Sequence, residues 1–89
     1  MVQLPGPKSV TLEGSYYHVR FRDPDEFEQI PTPDWVERTA AEVSPGSHVR
    51  VGERRDGVDW EVVSVLIDEA VGESAAREQA TAILEEIGG

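Results

Sequence analysis

Seven side chains with recognition chemistry sit at every second position of two short segments. Tyr16, His18, Arg20 and Arg22 alternate in the first, and His48, Arg50 and Arg54 in the second. Arginine offers a rigid fork of donors that matches carboxylate or phosphate. Tyrosine and histidine offer rings on which a base can stack. Histidine also offers a metal ligand or a general base. If His18 and His48 lie on adjacent strands they make half a metal site, with Asp59 or Glu61 nearby; two histidines on separate strands are more often unpaired, so no metal is expected. Ser15, Ser44, Ser47 and Ser64 are hydroxyls without a strand–turn–helix nucleophile elbow around them. Carboxylate pairs are too abundant to mark an acid–base site. Gly52 and Gly57 read as hairpin glycines, not as a phosphate loop. No catalytic residue and no cofactor is expected.

Alternation at period two is the mark of a half-buried strand, so two strands must carry these side chains. In Tyr16–Arg22 the other face holds Tyr17, Val19 and Phe21, and in His48–Arg54 it holds Val49 and Val51. A third, longer strand is expected over Val58–Ile67, joined to the second by Asp56-Gly57, a strong hairpin signal. Partners summing to 113 then place Val51 opposite Val62, Val49 opposite Ser64 and Arg50 opposite Val63; a bulge would shift that register by one. This register puts Trp60, Val62 and Leu66 on the covered face. It leaves Val63, Val65 and Ile67 beside the arginines. The expected binding face is therefore Tyr16, His18, Arg20, Arg22, His48, Arg50, Arg54, Val63, Val65 and Ile67.

Residues 1–9, with Pro5, Gly6 and Pro7, read as a flexible tail, and 10–89 as one α+β domain. Val10–Leu12 can add a short strand, turned back by Glu13-Gly14. Asp23-Pro24 opens a helical turn from which Phe27 and Ile30 pack inward. Thr32 caps a helix expected over 33–44, with Trp35, Val36, Thr39, Ala40 and Val43 on one side. Ser44-Pro45-Gly46 stops it. A second helix over 73–87 carries Ala76, Ala80, Ile83, Leu84 and Ile87 as its stripe. The order (β)βαββα suggests a two-layer sandwich: a mostly antiparallel sheet of three or four strands with both helices on one face. Trp35 and Trp60 read as core aromatics.

The chain has 89 residues, 18 acids against eight bases, and a formal net charge of −10. Seven of the bases are arginine, only Lys8 is lysine, and asparagine and cysteine are absent. This acid-rich, lysine-poor composition resembles that of small haloarchaeal proteins, which implies adaptation to high salt and no particular activity. The order of elements over 16–87 also partly resembles a KH-type RNA-binding domain, although that family's GxxG loop is missing and Gly46-Ser47-His48-Val49 does not supply it. Without disulfides, a membrane-length apolar run or a leader-like start, the expected setting is the cytoplasm.

The two basic segments contain a single acid, Glu53, whereas most acids fall on helices and loops. Local neutralisation by Asp59 and Glu61 is the plainest account of such a face. The aliphatic trio beside the arginines points further, to a non-enzymatic interaction module that self-associates as a homodimer or binds another protein through this face. RNA binding by the same face is the alternative, and a small enzyme is the least supported class. The net charge and a salty medium both weaken long-range attraction to phosphate.

Overall fold

A computed structural model describes residues 6–55, 57 and 59–88. Asp56 and Val58, and hence the expected Asp56-Gly57 turn, lie outside the described residues, as do the first five residues of the expected tail. The elements are strands β1 (Ser9–Glu13), β2 (Tyr16–Arg20) and β3 (Phe27–Ile30), helix α1 (Asp34–Val43), strands β4 (His48–Arg54) and β5 (Trp60–Asp68), and helix α2 (Glu73–Ile87). Single 3-10 turns over Pro24–Glu26 and Glu69–Val71 precede β3 and α2. The five strands form one sheet in the order β1-β2-β5-β4-β3, with every neighbouring pair antiparallel. The fold is thus an α+β sandwich with one strand more than expected.

Both helices pack on one face. Val36 and Ala40 of α1 and Ala76, Ala80, Ile83 and Leu84 of α2 share a core with Val19, Phe21, Val49, Val51, Val62, Val65 and Ile67. Burying each of these larger aliphatic chains contributes roughly 1.5–3 kcal/mol, which is what holds helices to sheet. Gly88 ends α2 in the left-handed region at φ 92°, its amide reaching the carbonyls of Leu84 and Glu85. The start of α1 differs from expectation. The cap position is Pro33, and Thr32 Oγ1 instead donates to the Val49 carbonyl at 2.7 Å, tying the connection to β4. Trp35 is 46% exposed, tilted against Trp60 with centroids 6.0 Å apart, so it is not a core residue.

Two departures shape the other face. Phe27–Ile30 is a strand, not the inward-packing helical turn expected. Asp23 does cap the turn before it, its carboxylate accepting from the Asp25 amide, but the chain then extends and pairs with β4. Ile30, opposite Val51, reaches the core, whereas Phe27, opposite Arg54, is buried on the side away from the helices. The second departure is a bulge in β5. Val51 faces Val62 and Glu53 faces Trp60, as expected, but Arg50 faces Ser64, Val49 faces Val65 and His48 faces Leu66. Val63 is the extra residue. Beyond it every side chain of β5 changes face. Val65 and Ile67 are fully buried under the helices, while Ser64 and Leu66 turn to the open face. Placing Val65 and Ile67 on the binding face is therefore corrected. The bulge wins because it sends two β-branched chains inward beside Val19 and Tyr17, their register partners on β2. Its polar groups are also used, since the Val63 carbonyl accepts from the amides of Phe21 and Arg22 at 2.9 and 3.2 Å.

Candidate functional site: the open sheet face

The sequence brings the expected side chains together on one face, in rows set by the strand register. Glu13, Tyr16 and Asp68 form one row; Thr11, His18, Leu66 and His48 the next; Ser9, Arg20, Ser64 and Arg50 the third. Beyond the bulge come Gln29, Gly52 and Glu61, then Phe27 and Arg54. Eight of the ten expected residues lie here: Tyr16, His18, Arg20, Arg22, His48, Arg50, Arg54 and Val63. Val65 and Ile67 do not.

Much of the basic charge is neutralised locally. Glu61 holds two arginines at once, Arg54 Nε at 2.8 Å and Arg22 Nε at 3.1 Å. Arg22 also donates from Nη1 to the Val62 carbonyl at 2.6 Å, so its guanidinium is fixed and only 15% exposed. Arg54 covers the Phe27 ring with its Cζ 5.1 Å from the centroid, adding a cation–π contact over a small apolar patch. Glu13 is shared more loosely, 3.4 Å from Arg20 Nη2 and 3.7 Å from His18 Nδ1, and is itself half exposed. Arg50 is exposed and, among the described residues, has no carboxylate partner.

Around Arg50 the face is concave. His18, Arg20, Arg50, Gly52 and Ser64 border a hollow of about 160 Å³, which Pro24 and Phe27 also line. Gly52 lacks a side chain there for a steric reason. A Cβ on Gly52 would stand 2.7 Å from Phe27 Cβ and 3.1 Å from Val63 Cγ2, so no side chain fits there. Pro24 reaches the hollow through the topology, because the chain leaves β2 and enters the sheet again at its far edge, beyond β5 and β4. Pro24 lies on that crossing. Sequence reasoning missed Ser64, Gly52, Gln29, Phe27 and Pro24 as parts of the site; only the turn signal at Asp23-Pro24 hinted at the crossing.

At the other end, Tyr16 meets the His48 ring edge-on with centroids 5.7 Å apart. The two histidines do not form half a metal site. They flank Leu66 on opposite sides of β5, so their backbones are roughly 10 Å apart. Each has its own glutamate at 3.7 Å, Glu13 for His18 and Glu37 of α1 for His48. Among the described residues no group of three potential ligands is close enough to hold an ion. Of the serines, Ser44 and Ser47 are buried in the turn after α1. Ser64 borders the hollow with His18, but no hydrogen bond joins the two among the described residues.

No protein-family model matches the chain, and no curated protein or solved structure was found that resembles it. No helix among the described residues is long and apolar enough to cross a membrane.

Proposed function

We propose that this is a non-catalytic binding module whose open sheet face takes a single-stranded nucleic acid, RNA being the natural candidate. The observation that carries the reading is Arg50, exposed and without a carboxylate partner among the described residues, beside a loosely held Arg20 in a hollow. Stacking surface is available from Tyr16 and the exposed His48 on the same face. The short-range fork contacts of arginine survive salt better than diffuse charge attraction, which suits a chain of net charge −10.

Self-association through this face, the other expectation, has less support than the sequence offers. Of its three aliphatic anchors, Val65 and Ile67 face the helices, and Val63 is only 8% exposed. Among the described residues the large hydrophobic side chains that are exposed, Leu12 and Trp35, belong to an edge strand and a helix.

A backbone amide NMR titration in roughly molar KCl, where the Debye length is about 3 Å, tests both readings. Short single-stranded RNA should shift amides in Tyr16–Arg20 and His48–Gly52. The double substitution Arg20→Glu with Arg50→Glu should remove those shifts without loss of fold. Shifts that persist in that variant would place the site elsewhere. A free protein tumbling at twice this mass, with no response to RNA, would return the face to a dimer interface.

A further inference from the structure

Arg20, Ser64 and Arg50 lie in one row across three strands. Ser64 is the register partner of Arg20 on β2 and of Arg50 on β4. With strands roughly 4.8 Å apart, the two arginine backbones stand roughly 10 Å apart over a short hydroxyl side chain. Two guanidinium forks rooted at that distance can close on one tetrahedral oxyanion held above Ser64. The hollow of about 160 Å³ is small beside the roughly 300–1,000 Å³ of a site for a whole drug-sized ligand, and suits a single group instead.

The hollow has two unlike ends. Phe27, on the edge strand opposite Arg54, and Pro24 line one of them. His18, in the same row as His48, lines the other. A chain end offers a single phosphate with three free oxygens for the two forks, where a mid-chain diester offers two. We propose that the Arg20–Ser64–Arg50 row is a clamp for a terminal phosphate monoester, with the rest of the ligand lying toward Tyr16 and His48. The monoester carries about −1.5 to −2 charges at neutral pH against −1 for a diester, which matches two arginines of which one has no carboxylate partner among the described residues. The inference deepens the reading of the face as a nucleic-acid platform and rests on it for the identity of the ligand, though not for the chemistry of the clamp.

The test compares inorganic phosphate, a short RNA bearing a terminal phosphate, and the same RNA ending in hydroxyls, each titrated into the full chain in molar KCl. Phosphate and the phosphorylated RNA should move the amides of Arg50, Gly52 and Ser64. The phosphorylated RNA should bind about tenfold tighter than its hydroxyl counterpart, the loss expected for one charged hydrogen-bonded contact. Arg50→Gln should abolish that difference at an unchanged thermal midpoint, since among the described residues the Arg50 side chain makes no hydrogen bond or ion pair. Equal affinity of the two RNAs, with Tyr16 and His48 shifting but Ser64 and Gly52 still, would overturn the clamp and leave the nucleic-acid face standing. A response to inorganic phosphate alone would uphold the clamp for a small phosphorylated molecule and sink the RNA reading. Silence toward all three would overturn both.

Discussion

At the scale of single residues, the open face is governed by which cations a carboxylate reaches. Glu61 is the pivot, bound to Arg22 and Arg54 at once while only 26% of its side chain is exposed. Glu61→Gln keeps the shape and removes the charge. It should cost about 1–3 kcal/mol, between the values for exposed and buried pairs, as read from urea denaturation. It should also strengthen phosphate binding, because two guanidiniums lose their local counter-charge; a weaker response to phosphate would mean that Glu61 organises the face rather than quenching it. Gly52 is the steric counterpart. In Gly52→Ala the new Cβ meets Phe27 Cβ at 2.7 Å and the Glu28 carbonyl oxygen at 3.3 Å, neither of them the free end of a flexible chain. Strand β3 must shift, and a loss of about 1–3 kcal/mol in the same denaturation assay is expected.

Among the elements, β4 and α2 are legible in the sequence to the residue, because alternation in one and an i, i+4 stripe in the other leave a single phase. Strand β5 is not. Its run Val62-Val63-Ser64-Val65-Leu66-Ile67 is almost continuously apolar, so period two cannot say which residues point inward. The pairing that decides it comes from β2, far away in sequence, which sets Val19 against Val65 and Tyr17 against Ile67. Strand β3 was hidden for a related reason. Four residues between a helical-turn signal and Pro31 carry too little pattern to oppose the cap at Asp23, and only the exposed edge of β4 makes them a strand. The corrected phase of β5 has a sharp consequence. Were Val65 on the open face, Val65→Asp would give a folded protein with an altered surface. In the core it buries a carboxylate beside Val19 and Val49, with no cation among its register partners. Circular dichroism should show an unfolded chain, since a buried unpaired charge costs several kcal/mol and a domain of this size has little stability to spare.

For the molecule as a whole, net charge and local charge point in opposite directions. The chain carries −10, most of its acids lie on helices and connections, and the hollow is bordered by arginines. Self-repulsion among the acids should make the fold salt-dependent: the thermal midpoint should climb as KCl rises toward molar concentration and the Debye length falls from about 10 Å to about 3 Å. Affinity for RNA should move the other way, but gently. For a single strand the logarithm of affinity falls with the logarithm of salt by about 0.7 per phosphate neutralised. Arg22 and Arg54 are already committed to Glu61, so on this face Arg50, and Arg20 once released from its 3.4 Å contact with Glu13, would be the ones to meet phosphate. Two contacts give a slope of about −1.4. A slope near −2.8, read from affinities between roughly 0.3 and 2 M KCl, would mean that all four arginines engage the ligand and that the pairs through Glu61 open on binding. A shallow slope would let a protein of strongly negative charge hold a nucleic acid in salt high enough to screen its own acids.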